Sequence, residues 1–304
     1  MPYTEINGSI LRPHERYEPI DGYPNKVVIV HHPSYLTQAD QLATDFSSGI
    51  SLEADLPGIH AKEDRRFLLV NNREPVLVMD AGMGTIETQT TIVKTAMHAG
   101  GGVEFINIGA AGGVDRQLNI GNIYLTDKAV RDCGTTTFIA SPDEIAIADV
   151  QLAQKLWDTI HSDDFYTALL SQNLFISRGD SWSVPSMYYP RQRMIQLEED
   201  GWNLKGVEME DAAALAYSDW LNHNYGPNGL GAANIRWQKP IRTTAIHYIS
   251  DLLPRDESAW LDTLNDPAKA EGLVDSGIIA NHFALLKGQL MYWAINALCN
   301  TAEQ

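Results

Sequence analysis

Phe105-Ile106-Asn107-Ile108-Gly109-Ala110-Ala111-Gly112-Gly113 opens as an apolar strand and runs into five residues that are all glycine or alanine. A short apolar run without polar alternation suits a strand buried on both faces. The small residues after it read as a turn at its carboxyl end. The pattern recurs on either side. Val27–Val30 is a second all-apolar strand, ending at His31-His32-Pro33, and Tyr35 to Phe46 has helical spacing. Arg66–Val70 and Val76–Met79 predict two more strands; the second leads through Asp80-Ala81-Gly82-Met83-Gly84 into a helix over Thr85–His98, stopped by Gly100-Gly101-Gly102. Downstream, the spacing predicts a strand at Asn122–Thr126 followed by Lys128–Gly134, and a helix over Ile145–His161. A strand at Leu174–Ser177 follows, leading into Gly179-Asp180-Ser181-Trp182, and then a partly helical Tyr188–Gly201. The last elements are a strand at Arg242–Ile249, a helix near Ala259–Leu264 and a long apolar helix from Ser276 to Leu298. The Gly-, Asn- and Pro-rich stretch from His223 to Pro240 reads as a long exposed loop. Alternating strands and helices with apolar strands imply an α/β fold, a parallel or mixed sheet covered on both faces.

Composition narrows the function. The chain has 304 residues and a formal net charge of −17, which argues against a nucleic-acid backbone or an anionic membrane as partner. No run of eighteen apolar residues occurs, so no transmembrane helix is expected. The first 25 residues carry Pro2, Pro13, Pro19 and Pro24 and lack a basic segment followed by an apolar core. They read as an extended arm rather than a signal peptide, with residues 26–304 as one domain. Cys133 and Cys299 show no metal spacing and fit a reducing cytoplasm. Adjacent His31 and His32 point to opposite faces if extended, which disfavours a shared metal.

The distinctive residues fall at strand carboxyl ends, where ligands gather in such sheets. Val207-Glu208-Met209-Glu210-Asp211 opens a helix predicted to reach Asn222. Its carboxylates suit the positive end of a helix dipole; alternatively Glu210 faces a ligand with vicinal hydroxyls, since a carboxylate accepts from both. Asp251 after Ser250 reads either as a cap for the next turn or as a general acid facing a nitrogen base. Trp182 reads as a core anchor or as a wall for a flat ring. The glycine turns at Gly82/Gly84 and Gly109–Gly113 are tight strand-to-helix connections or cradles for phosphate or sugar. The dinucleotide fingerprint, Walker A, H-E-x-x-H and G-x-S-x-G are all missing.

Taken together these residues resemble the nucleoside phosphorylase/nucleosidase superfamily, which includes purine nucleoside phosphorylases, uridine phosphorylases and methylthioadenosine/S-adenosylhomocysteine nucleosidases. The likeness spans roughly residues 26–251. It is strongest at Gly82-Met83-Gly84, at Phe105–Gly113 running on to Leu118-Asn119-Ile120-Gly121-Asn122-Ile123, at Val207-Glu208-Met209-Glu210 and at Ile249-Ser250-Asp251. It implies a three-layer α/β/α domain around a mixed, partly barrel-like sheet, and a homo-oligomer (dimer, trimer or hexamer). It further implies Glu210 on the ribose hydroxyls, Met209 beneath the sugar, Glu208 supporting the pocket from the side and Asp251 protonating a purine leaving group. Trp182, Ala111 and Gly112 would meet the base, and Asp211 would be no more than a first-turn charge. After Trp182 this chain has Ser183-Val184-Pro185-Ser186-Met187-Tyr188, without the Gln/Arg pair of uridine phosphorylases, which favours a purine.

The nucleophile region departs from the family. Phosphorylases place an Arg on the central strand and a Ser or Thr in its turn; this chain has Asn107 and Ala110. The Gly-Asp-Pro-x-Arg phosphate loop is replaced by His31-His32-Pro33-Ser34-Tyr35. A phosphate dianion without a guanidinium is poorly held, and the pattern is closer to the hydrolytic nucleosidases. Those keep a Ser at the place of Ala110 and an Arg near His247, leaving His247 to orient water or the nucleophile site degenerate. Arg65, Arg66 and Arg131 remain as other phosphate contacts. The expected activity is cleavage of a nucleoside, purine favoured, with water as ribosyl acceptor and no cofactor or metal. A phosphorylase using inorganic phosphate and a nucleoside-binding protein without turnover are the alternatives.

Overall fold

The computed structural model describes residues 17–44, 50–53, 66–71, 74–139, 145–185, 191–229, 236–253 and 276–299. The strands are β1 (Lys26–Val30), β2 (Ile50–Glu53), β3 (Arg66–Asn71), β4 (Glu74–Asp80), β5 (Glu104–Gly113), β6 (Ile123–Arg131), β7 (Ala146–Ile147), β8 (Ile176–Ser183), β9 (Leu204–Glu208) and β10 (Arg242–Leu252). The helices are α1 (Ser34–Thr44), α2 (Thr85–Ala99), α3 (Val150–His161), α4 (Asp164–Ser171), α5 (Arg191–Glu199), α6 (Asp211–Tyr225) and α7 (Ser276–Cys299). The predicted helix at Ala259–Leu264 lies outside the described residues.

All ten strands join one sheet in the order β10-β6-β8-β9-β5-β1-β4-β3-β2, with β7 on β6. Because β10 also pairs with β5, the first five close into a mixed barrel and the others extend it as an open wing. The apolar strands are the deepest. Val27, Val28, Ile29 and Val30 are fully buried, as expected for a strand covered on both faces. On one face α1, α3 and α7 pack on the sheet through Val28, Ile106, Leu156, Leu290 and Trp293. On the other, α2 and α6 pack through Ile29, Ile92, Phe105 and Leu215. No helix among the described residues is long and apolar enough to cross a membrane.

Three boundaries move. Gly109–Gly113 is not a turn, because β5 continues extended to Gly113. Small residues are required there by the tight barrel interior: a Cβ on Gly109 would stand 2.7 Å from the His247 ring. The strand expected to stop at Thr126 runs unbroken to Arg131, and α3 starts at Val150 because Ala146–Ile147 is a short strand on β6. The stretch after His223 is not all exposed loop either. α6 continues to Tyr225, and Trp237 returns to the core, its N–H donating to Tyr225 O at 2.7 Å. Its ring fills the space over Gly101, where a Cβ would come within 2.3 Å. At the chain's start, Tyr17 and Tyr23 lie against His98 at the end of α2.

Candidate active site

The turn from β4 to α2 needs its glycines. Gly82 has φ 80° and Gly84 has φ 102°, values that side chains strain to adopt. Asp80 Oδ1 accepts the Gly82 N–H at 2.9 Å and fixes the bend. Gly84 becomes the N-cap of α2, and its N–H is aimed across the sheet. It donates to Glu210 Oε1 at 2.8 Å, while Met209 N–H donates to Oε2 at 3.2 Å. Glu210 is itself the N-cap of α6. Its carboxylate therefore lies between two helix N-termini, whose partial positive charges favour an anion there. Each oxygen keeps acceptor capacity for a hydroxyl. The dipole reading of the sequence therefore holds at this residue, and it leaves the carboxylate able to accept further bonds.

Val207 and Glu208 do not open the helix. They end β9, and α6 begins at Asp211. Glu208 Oε2 accepts from Glu210 N at 2.5 Å and Asp211 N at 2.6 Å, and Ser183 Oγ donates to Oε1. Ala212 N–H donates to Ser183 Oγ at 2.8 Å. The first-turn donors of α6, which have no intrahelical partner, are all met, so the chain around Glu210 is clamped from below.

Asp211 is the largest departure from the sequence reading. It is 0% exposed and points into the barrel as the hub of a polar network. Asn107 Nδ2 donates to its Oδ1 at 2.9 Å, Thr126 Oγ1 to its Oδ2 at 2.7 Å, and His247 Nε2 lies 2.9 Å from both oxygens. Asn107 Oδ1 in turn lies 2.6 Å from His31 Nε2, and His31 Nδ1 lies 2.8 Å from Gly82 O. The network connects the floor of the glycine turn to the barrel interior.

Burial by itself would raise Asp211, but the charge and hydrogen bond of His247, with the hydrogen bonds of Thr126 and Asn107, outweigh it and hold its carboxyl below the ordinary range. Burial would lower His247; Asp211 reverses that and holds it up. Glu208 is pushed up to about 8, by burial first and then by the charges of Asp211 and Glu210. A raised group contributes stability in full below its unfolded pKa, and loses it as pH climbs through the folded value. For Glu208 that loss runs from 4.5 to about 8; for His247 it begins above 6.5. Asp211, lowered, acts oppositely and loses its contribution on acidification below 3.8. The urea midpoint is therefore expected to fall between about pH 6 and pH 9, and Glu208→Gln to reduce that fall. An equally steep fall in Glu208→Gln would assign the pH dependence elsewhere.

The remaining sequence-predicted residues divide. Asp251 stands exposed at the end of β10, in register with Gly112, and accepts Ser250 Oγ–H at 2.6 Å. Ala110 is exposed on β5, and Met209 is half-buried beside the α5 cluster. His247 is turned inward, 0% exposed and stacked on Tyr124 at 5.2 Å, with Nε2 on Asp211. Trp182 is 1% exposed, packed with Val114, Val130 and Leu197, and its Nε1–H donates to Asp132 at 2.8 Å. That is the packing of a core anchor. Ala111 points its methyl into the barrel, and Gly112 lies under Leu253. Arg131 is buried at the carboxyl end of β6, in register with Ser183, and donates to Thr136 O at 2.5 Å, while Arg65 lies outside the described residues. His31 and His32 part company: His31 is buried in the network, whereas His32 is exposed beside Ser34.

A glycine turn and a capping glutamate joined at the carboxyl ends of a barrel with an open wing form a distinctive arrangement, and the sequence profile of the phosphorylase superfamily matches residues 28–225. The chain belongs to the phosphorylase superfamily. It is 28% identical over 158 residues to the uridine phosphorylase of Klebsiella aerogenes, an alignment covering 47% of this chain and 57% of that relative. The chain thus matches little more than half the length of that relative. Uridine phosphorylase from Vibrio fischeri ES114, complexed with 6-hydroxy-1-naphthoic acid, superposes with a TM-score of 0.56 over 93% of this chain and 95% of its own. A second structure of that enzyme gives 0.55. At 15% identity these likenesses show the fold alone. The match ends at Tyr225, so β10 with Asp251 and the whole of α7 lie outside the matched residues.

Proposed function

We propose that this superfamily member cleaves the N-glycosidic bond of a nucleoside, a purine nucleoside by preference, and transfers the ribosyl group to water. The observation that carries the reading is the Glu210 carboxylate, held beneath the glycine turn by Gly84 N–H and Met209 N–H. The central strand offers Asn107, already engaged by His31 and Asp211. Cleavage leaves positive charge on the ribosyl ring and negative charge on the base. The Glu210 carboxylate stabilises the first and disfavours a phosphate dianion approaching on the same side. Glu210 takes the vicinal hydroxyls, Met209 lies beneath the sugar and Asp251, exposed at the strand end, protonates the departing base. The relatives favour a second reading: the sequence neighbour is a uridine phosphorylase, and a phosphorylase would place phosphate against the exposed Ala110. Binding without turnover is the third.

One assay separates them. Base release from a nucleoside panel is followed with and without inorganic phosphate. Phosphate-independent release supports water as acceptor, strict dependence sinks it, and binding without release supports the third reading. Asp251→Asn is expected to lower purine release roughly 10²-fold, the low end of general-acid effects because solvent competes at an exposed carboxyl. Binding should hardly change. Full activity in the variant would remove the acid role.

A further inference from the structure

Glu208 ends β9 with its side chain buried, two residues before Glu210. Its Oε2 accepts the backbone N–H of Glu210 at 2.5 Å and that of Asp211 at 2.6 Å. Its Oε1 shares a short hydrogen bond with Ser183 Oγ, which also accepts the Ala212 N–H at 2.8 Å. Buried and bonded on both oxygens, Glu208 acts on a ligand through Glu210 rather than by touching it.

Three carboxyl groups thus fall within four residues, and all are buried. Glu210 and Asp211 are the acidic neighbours of Glu208, and their charges oppose its ionisation. From β10, His247 brings the opposing charge, but its Nε2 lies 2.9 Å from both oxygens of Asp211 and is committed there. From β6 come Tyr124, and just past its end Cys133, both weak acids within electrostatic reach of Glu208. Arg131, in register with Ser183, turns its guanidinium to Thr136 O. From β8 comes the neutral Ser183. Neighbouring carboxyl groups in a dry site do not ionise together without cost. Glu210 has the Gly84 and Met209 N–H groups to hold its charge. Glu208 has the bond to Ser183, along which a proton passes from one oxygen to the other without movement of either residue. Its rise to about 8, from burial first and then from Asp211 and Glu210, agrees with a proton kept there at neutral pH.

We infer that Glu208 is a positioning residue for Glu210, and that it seats the Glu210 carboxylate on the glycine turn while it carries a proton and unseats it when ionised. The inference rests on the nucleoside reading for what Glu210 binds. Protonated, Glu208 keeps both backbone bonds at the start of α6 and adds no charge. Ionised, it places a second negative charge beneath Glu210, and a low-dielectric surrounding strengthens the repulsion. Nucleoside affinity is therefore full where Glu208 is protonated and falls as pH climbs through about 8.

The test is the affinity and KM for adenosine and uridine between pH 6.5 and pH 9, in wild type, Glu208→Gln and Glu208→Ala, with the folded fraction checked at each pH. The Gln amide accepts the two backbone N–H bonds and donates to Ser183 Oγ, so it copies the protonated acid at every pH. Wild type is expected to lose about tenfold in affinity by pH 9, the most that one linked proton allows over a single pH unit, with kcat changed less. Glu208→Gln should match wild type at pH 6.5 and stay level, and Glu208→Ala should bind weakly throughout. Parallel pH curves in wild type and Glu208→Gln would overturn the inference and leave Glu208 a structural clamp. Infrared spectra give a readout that needs no ligand. A carboxyl C=O band should be present at pH 6.5, missing from Glu208→Gln and lost through about pH 8. The Glu210 carboxylate band, identified by its loss in Glu210→Gln, should shift in step. Absence of the first band, or a Glu210 band that stays still, overturns the inference even if nucleosides are cleaved. Both bands behaving as expected without any nucleoside binding would sustain the positioning and sink the nucleoside reading.

Discussion

Glu210→Gln is expected to lower kcat/KM for base release by about 10³-fold. Two hydrogen bonds from sugar hydroxyls to a carboxylate are each worth about 1.5–3 kcal/mol, and an amide reproduces neither charge nor symmetry. The positive charge that develops on the ribosyl ring makes the carboxylate more valuable in the transition state than in the bound substrate. The loss should therefore fall more on kcat than on KM. Gln also sets an N–H against one of the two backbone donors, Gly84 N–H or Met209 N–H, that now converge on the carboxylate. That local conflict should cost about 1 kcal/mol of stability through the weakened helix start, so near-native unfolding is the control. Wild-type turnover in Glu210→Gln would leave the residue as a helix cap and nothing more.

Asp211→Ala is expected to cost about 3–5 kcal/mol in urea unfolding, the usual cost of breaking a buried charge pair by removing one partner. The change leaves His247 Nε2, Thr126 Oγ1 and Asn107 Nδ2 without their shared acceptor inside the barrel. Asp211→Asn, which keeps one carbonyl oxygen, should lose less. A double-mutant cycle with His247→Gln should return a coupling above about 1 kcal/mol, since neighbours in one network are not additive. A cost under about 1 kcal/mol for Asp211→Ala would reduce the residue to the first-turn charge that its position in the sequence suggests. Activity is the second measurement: because Asn107 ties the hub to His31 and thence to Gly82 O, a loosened hub should raise KM through the glycine turn.

Much of the fold was legible because its signals are local. The apolar strands Val27–Val30 and Phe105–Ile108 announce burial on both faces, and a helix led by Gly82 and Gly84 announces a strand-to-helix turn. Both α2 and α7 appear close to where periodicity puts them. The failures share one cause. Gly109–Gly113 carries turn residues but is strand, because β5 pairs with β10 as far as Gly113 and the His247 ring fills the place of a side chain on Gly109. Trp182 and His247 lie at the expected places in the chain, yet the alternation of a strand turns each away from the mouth. β9 was missed altogether, since five residues that pair only with distant strands show no pattern of their own.

By itself the sequence determined the α/β class, the family and the carboxylates gathered at Glu208, Glu210 and Asp211. These depend on residue type and spacing, which the chain carries along its length. Only the tertiary structure decided where each carboxylate points and what it bonds. Barrel closure brings Asn107, Thr126 and His247 from three strands around Asp211, and the meeting of two helix N-termini sets Glu210 on the N–H of Gly84 at the glycine turn. It likewise sets Lys287 from the last helix beside Ser34 from the first, a separation of 253 residues that no local pattern spans. Electrostatic roles depend on distance and burial, and those quantities come into being only when the sheet closes.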